Sequence, residues 1–256
     1  MSKKFVVITG ASSVIGYETA KAFARRGKNV ILAARRADKL EQLSREILAE
    51  CPDVEVVIKA VDLSSNEDAI RFYDSLSDYE LEVLVNNAGR GNKGDITNPE
   101  LESTLPMLHI NMDAVTILST LFVRDYKDVE GAQLINVASS AGYVLFPGAT
   151  VYAATKFFVS ALTEGIDHEM RLGGHKLRAK VLAPGATQTE FEQTANSLDA
   201  PVNYDERFPR YHTAAQMAEF LLALYDGDKA VGEIDFATFG VKLSDAKHPF
   251  FAPPAR

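Results

Sequence analysis

Apolar and polar positions alternate in blocks along this chain. Apolar runs of strand length occur at Phe5–Thr9, Val30–Ala33, Val54–Val61, Val83–Asn86, Leu134–Ala138, Ala179–Ala183 and Glu233–Ala237. Near-continuous runs of this kind read as strands buried on both faces. Between them the apolar period lengthens to that of a helix, over Ile15–Arg26, Lys39–Glu50, Asn66–Leu76, Leu101–Val123, Thr150–Arg171 and Ala214–Tyr225. In the first helix Ile15, Thr19, Ala22 and Phe23 share a side. Arg25 and Arg26 suit the negative end of its dipole, and Gly27 stops it. Strand alternating with helix predicts an α/β fold, a parallel sheet with helices on both faces and right-handed crossovers. Ligands then bind beyond the C-terminal strand ends, where the strand order reverses.

No repeat, linker or low-complexity block divides the chain, so one domain over 1–256 is expected. The stretch Gln188–Arg210 differs in texture. It is polar, carries Phe191, Tyr204, Phe208 and two prolines, and reads as a mobile lid over a substrate site.

Bulk properties exclude several classes. At 256 residues the chain can bury a sizeable core. A net charge of −8 and a pI near 5.2 argue against a general nucleic-acid surface. One cysteine, Cys51, allows no intrachain disulfide and reads as a spare thiol at a helix end. The start M-S-K-K-F-V-V-I-T runs straight into the first strand with no apolar stretch of signal-peptide length. No run of about 18 apolar residues occurs, so no membrane span is expected. A cytoplasmic location fits these features.

Candidate chemistry lies in two places. After the first strand comes T-G-A-S-S-V-I-G, Thr9 to Gly16, opening a helix. A strand, a turn of small residues and a helix N-terminus form a phosphate cradle, because backbone N–H groups point at the anion. The pattern alone is weak evidence and needs that context. Further on, Tyr152 and Lys156 stand four apart in a helical stretch, on one face and a turn apart. A phenol beside an ammonium is an acid/base pair, since the cation favours phenolate and draws the phenol pKa down from about 10. Such pairs also arise by chance, so the weight lies in their company.

Together these strings resemble the short-chain dehydrogenase/reductase family. T-G-A-S-S-V-I-G, N-N-A-G at Asn86–Gly89, Asn111, Ser139, Y-A-A-T-K at Tyr152–Lys156 and P-G-A-T-Q-T at Pro184–Thr189 occur in the family's order, across roughly three quarters of the chain. The resemblance implies a doubly wound Rossmann-type fold and a nicotinamide cofactor. It implies that Asn111, Ser139, Tyr152 and Lys156 form a catalytic tetrad, with Asn111 interrupting its helix to hold a water behind Lys156. It places the cofactor on Gly10, Ser12, Ser13, Ile15 and Gly16, on Asp62 and Leu63 at the adenine, and on Asn87, Ala88 and Gly89. Tyr152 and Lys156 complete the set with Pro184, Gly185, Thr187 and Thr189. It further implies a small-molecule substrate and a homo-oligomer, dimer or tetramer.

There are departures. Val14 stands where the family pattern has its middle glycine; a valine there cannot easily take positive φ, which bears on cofactor affinity or geometry, but the site is expected to survive because Gly10 and Gly16 remain. Ala34 occupies the place of the acid that selects NAD, and Arg35 and Arg36 follow. A carboxylate would repel a ribose 2′-phosphate, whereas a guanidinium grips it, so NADP(H) is expected over NAD(H), with Arg35 helped by Arg36. The C-terminal region lacks the D-G-G string of relatives that act on acyl-carrier-protein thioesters. That argues against a role in fatty-acid synthesis and against the tetramer contact of that tail.

Other residues are set aside. The five histidines, His109, His168, His175, His212 and His248, have no metal-ligand spacing, and no metal is expected. Asp167 and Glu169 read as a solvated helix face, as do the alternating charges of Glu41–Glu50. Two function classes follow. One is an NADP(H)-dependent carbonyl reductase or alcohol dehydrogenase acting on a hydrophobic ketone or aldehyde, its pocket lined by Tyr143, Val144, Leu145 and Phe146. The other is a cofactor-binding regulator with little turnover. The complete tetrad favours the first.

Overall fold

A computed structural model describes residues 3–189, 195–196 and 202–251. Seven strands are parallel: β1 (Lys4–Thr9), β2 (Asn29–Ala34), β3 (Val56–Ala60), β4 (Glu80–Asn86), β5 (Gln133–Val137), β6 (Arg178–Ala183) and β7 (Val231–Ile234). An eighth, β8 (Val241–Ser244), runs antiparallel to β7. The order across the sheet is β3-β2-β1-β4-β5-β6-β7-β8. The helices are α1 (Val14–Arg25), α2 (Ala37–Glu50), α3 (Asn66–Asp74), α4 (Leu101–Leu108), α5 (Ala114–Tyr126), α6 (Thr150–Leu172), α7 (Tyr204–Arg207) and α8 (Ala214–Asp226). This is the doubly wound α/β Rossmann-type fold that the alternation predicts.

Period-two side-chain direction in β1 accounts for the two layers. Val6 and Ile8 point into a core shared with Ala20 and Phe23 of α1 and Leu221 and Leu222 of α8. Phe5 and Val7 point into the opposite core, with Leu118 and Phe122 of α5. Removing a side chain such as Phe122 from water contributes about 1.5–3 kcal/mol, and Phe122 is fully buried. The helical stretch Leu101–Tyr126 has the length and hydropathy of a membrane span. Its buried residues Ala114, Val115, Leu118 and Phe122 show that its apolar side serves as a core face.

Differences from the sequence reading have local causes. The last expected strand, Glu233–Ala237, instead spans Val231–Ile234. Asp235 Oδ1 accepts from Ala237 N (2.8 Å) and Thr238 N (3.2 Å) and turns the chain, and Phe239 takes φ of +60°. β8 was not anticipated, because four residues carry too little pattern without β7 beside them. Asp167 is not on a solvated face: it is 2% exposed, pairs with Arg171 at 2.6 Å and accepts from Ala179 N.

The expected single helix over Leu101–Val123 is continuous but irregular. Pro106 lies inside α4, and a π-helical turn, His109–Asp113, follows before α5. Proline removes a helix donor, and an extra residue in the turn reaims the side chains. Asn111 sits in that turn, buried.

Candidate active site

The strand order reverses between β1 and β4, and their C-terminal ends are tied together. Thr9 Oγ1 accepts from Asn87 N (3.0 Å) and Ala88 N (3.1 Å), while Asn87 Nδ2 donates to Thr9 O (3.0 Å). Gly10 follows with φ of +66°, and a Cβ there would lie 2.8 Å from Asn87 Nδ2. A Cβ on Gly16 would lie 2.5 Å from Gly10 O. Only glycine fits either place, and the turn packs directly against Asn87 and Ala88.

Ser13 caps α1 by position but not by side chain. Its hydroxyl donates to Gly10 O (2.7 Å), and no acidic residue occupies the first turn. The amides of the α1 N-terminus therefore keep their partial positive charge for an anion. Ser12 and Ile15 border this turn. These residues fit the diphosphate of a dinucleotide. The feared strain at Val14 is absent: Val14 begins α1, and in this turn only Gly10 has positive φ.

The two arginines differ. Arg36 Nη2 donates to Ser12 O (2.7 Å), holding the phosphate turn to the end of β2. Arg35 is exposed and forms no hydrogen bond or ion pair among the described residues. Ala34 is buried beside them. Asp62 is exposed, with its carboxylate accepting from Ser64 N, and Leu63 is buried.

The four catalytic candidates come from two elements, α6 and the π-helical turn, and from the loop after β5. Lys156 is buried on α6. Its Nζ donates to Val137 O (3.0 Å) and lies 5.9 Å from the centre of the Tyr152 ring. Burial lowers the ammonium pKa from 10.5 to about 8. Asn111 Oδ1 accepts from Arg90 N (3.0 Å), and its Nδ2 donates to Arg90 O (2.9 Å) and Thr155 Oγ1 (3.0 Å). A Cβ on Gly89 would meet Asn111 Oδ1 at 3.0 Å and Lys156 Nζ at 3.6 Å. The N-N-A-G turn, the π-helical turn and the Tyr–Lys helix thus converge. Ser139 lies two residues beyond β5, extended and half-buried, and its Oγ accepts from Ala141 N (3.2 Å) at the start of the 3₁₀ turn Ser140–Gly142.

The last expected segment closes one side. Pro184 O accepts from Ser140 N (2.8 Å), and Thr187 Oγ1 donates to Gly185 O (3.0 Å). Thr187 pairs with His212 in an isolated bridge. Of the expected lid, residues 190–194 and 197–201, with Phe191 among them, lie outside the described residues. Tyr204 is buried, and its hydroxyl donates to Thr189 O (3.1 Å).

Three participants escaped the sequence reading. Thr9 was read as a motif letter, and its double acceptor role needs β4 in place. Thr155 lies between Tyr152 and Lys156, where its bond to Asn111 ties α6 to the π-helical turn. Arg90 follows N-N-A-G directly, and its buried Nε has no partner in the described structure. Its position after the motif was the only signal available. Among the described residues no cluster of His, Cys, Asp or Glu could hold a metal.

Comparison with known proteins agrees with this geometry. The profile of a family described as short chain dehydrogenase matches residues 4–199. An uncharacterised oxidoreductase of Staphylococcus saprophyticus is 32% identical over 207 residues, covering 80% of this chain and 82% of its own. A short-chain dehydrogenase from Sphingobium yanoikuyae, solved in complex with NADPH, superposes with a TM-score of 0.82 at 27% identity, covering 91% and 88% of the two chains. A bulky-bulky ketone specific alcohol dehydrogenase from Comamonas testosteroni superposes with a TM-score of 0.76 at 26% identity, covering 91% and 86%.

Proposed function

The chain belongs to the short-chain dehydrogenase/reductase family, and from that premise we propose that it reduces a hydrophobic ketone or aldehyde with NADPH, or runs the reverse oxidation. The observation that carries this reading is the buried Lys156 ammonium a helical turn from Tyr152, beside Asn111 and the N-N-A-G turn. A nicotinamide, when bound, supplies or accepts the hydride. The protein's residues do the rest. Tyr152 gives its phenolic proton to the carbonyl oxygen, or takes one from an alcohol. Lys156, cationic below a pKa of about 8, favours phenolate and makes that proton mobile near neutral pH. Ser139 Oγ donates to the substrate oxygen and stabilises the charge developing there. Asn111 holds the Arg90 backbone and Thr155, which keeps the turn above Lys156 in place.

NADPH is favoured over NADH because Ala34 offers no carboxylate and the Arg35 guanidinium has no hydrogen-bond or ion-pair partner among the described residues. The Sphingobium neighbour, solved in complex with NADPH, supports that choice. The hydrophobic substrate follows from Val144, Leu145 and Phe146, exposed apolar residues a few positions beyond Ser139. The Comamonas neighbour, described as ketone-specific, supports the same class. The lid role of 188–210 belongs to this proposal, as does a homo-oligomer.

The test is NADPH oxidation against a panel of ketones and aldehydes, with Tyr152→Phe alongside. The variant keeps the ring and loses the proton. Turnover should fall by roughly 10²–10⁴, the range general acid catalysis supplies, while NADPH still binds. Retention of more than about a tenth of wild-type turnover would refute the assignment.

A further inference from the structure

Glu164 is a buried carboxylate that the reaction does not use. It lies on α6 and is 1% exposed. A lone carboxylate in such a place is costly unless every lone pair is engaged. Here both oxygens are engaged, by two distant segments. Glu164 Oε1 accepts from Tyr143 OH (2.5 Å), and Oε2 accepts from Lys247 N (2.5 Å) and His248 N (2.7 Å). Burial, and then the bond to Glu164, push the Tyr143 phenol far above its ordinary range, so it remains a donor.

The same segments hold Tyr143 from the sides. The His248 ring stacks on it at 5.6 Å, and Lys247 Nζ lies 4.5 Å from its centre. Lys247 Nζ also pairs with Glu233 of β7 at 2.6 Å. His248 Nε2 is 3.1 Å from Ser160 Oγ, which donates to Gly142 O (2.9 Å). A Cβ on Gly142 would lie 2.7 Å from Lys156 O, so this turn rests directly on the α6 backbone. The turn Ser140–Gly142 that Ser139 caps is therefore pressed on α6 at Lys156, tied at Ser160 and anchored at Glu164 through Tyr143.

Resting on the oxidoreductase reading above, we propose that Glu164 is a positioning residue for catalysis. One carboxylate locks the C-terminal residues Lys247 and His248 against Tyr143, and so sets where Ser139 stands relative to Tyr152 and Lys156. The C-terminal segment is part of the active-site scaffold. An apolar side chain could fill the same space, but only an acceptor with two oxygens can hold a hydroxyl on one side and two backbone amides on the other.

Two variants test this. Glu164→Gln turns an NH₂ toward one set of donors. Tyr143→Phe keeps the ring and removes a single donor, so it retains the fold. Three readouts are compared: kcat/KM on the carbonyl panel, NADPH affinity by fluorescence, and hydrogen exchange of residues 140–146 and 245–249. Both variants should lose roughly ten- to hundredfold in kcat/KM. NADPH affinity should stay within about twofold of wild type, and exchange at 140–146 should accelerate. The double variant should be no worse than Glu164→Gln, because both act through one anchor. Tyr143→Phe with wild-type exchange at 140–146 and wild-type kcat/KM would overturn the proposal. Exchange needs no turnover, so it decides the anchor even where no carbonyl reacts, a result that would instead sink the oxidoreductase reading.

Discussion

Replacing Lys156 by methionine isolates the group on which the acid/base reading turns. Met keeps the length and apolar bulk and removes the charge. Burial sets the folded-state pKa of Lys156 at about 8, against an ordinary 10.5. The sign follows from proton counting. Between these values the unfolded chain holds a proton that the folded protein has shed, so wild-type stability rises with pH relative to the variant. The contribution is fully present above 10.5 and is lost as pH falls through 8. Each pKa unit corresponds to about 1.4 kcal/mol, so a shift from 10.5 to about 8 amounts to roughly 3 kcal/mol over the whole window. The other titrating groups, including the buried Lys180, are common to both proteins and cancel in the difference. Urea unfolding of both proteins without cofactor, at pH 7 and pH 10, measures it. The wild type should gain about 2–3 kcal/mol on the variant between those pH values. A difference constant to within about 0.5 kcal/mol would show that Lys156 titrates near its ordinary value, and that burial does not tune it. The same titration bears on rate: carbonyl reduction should decline as pH rises past about 8, where Tyr152 loses its cationic neighbour.

Further outcomes concern the cofactor cradle. Arg35→Ala should weaken NADPH by roughly one to two decades and leave NADH nearly unchanged, as loss of one charge-assisted contact requires. Arg36→Ala should weaken both cofactors together, because it releases Ser12; titration of both cofactors against both variants checks this, and equal weakening of both by Arg35→Ala would defeat the NADP assignment. Thr9→Val leaves the amides of Asn87 and Ala88 without their shared acceptor in a buried place. It should cost about 2–6 kcal/mol in denaturant unfolding, at about 1–3 kcal/mol per orphaned donor.

The sequence by itself determined the architecture and the roster of reactive groups. Both are written in short-range pattern: buried runs such as Phe5–Thr9, the helical period that follows, and motif letters at fixed spacing. The i, i+4 spacing of Tyr152 and Lys156 needs only the helix they share. Tertiary structure decided what no local pattern can encode. β8 exists because β7 offers it hydrogen-bond partners. Asp167 is buried because Ala179 of β6 and Arg171 both reach it. Val14 needs no positive φ, because Gly10 carries the positive φ of that turn. Arg35 and Arg36 look alike in the sequence, and only the approach of Ser12 separates them. Glu164 resembled any helix-surface glutamate until residues 247 and 248 folded back on it. Outside the Val14 turn, a partner beyond the local window supplies the hydrogen bond or excludes the water. Its arrival depends on the packing of whole elements, so the energy that assigns the role is absent from any local window.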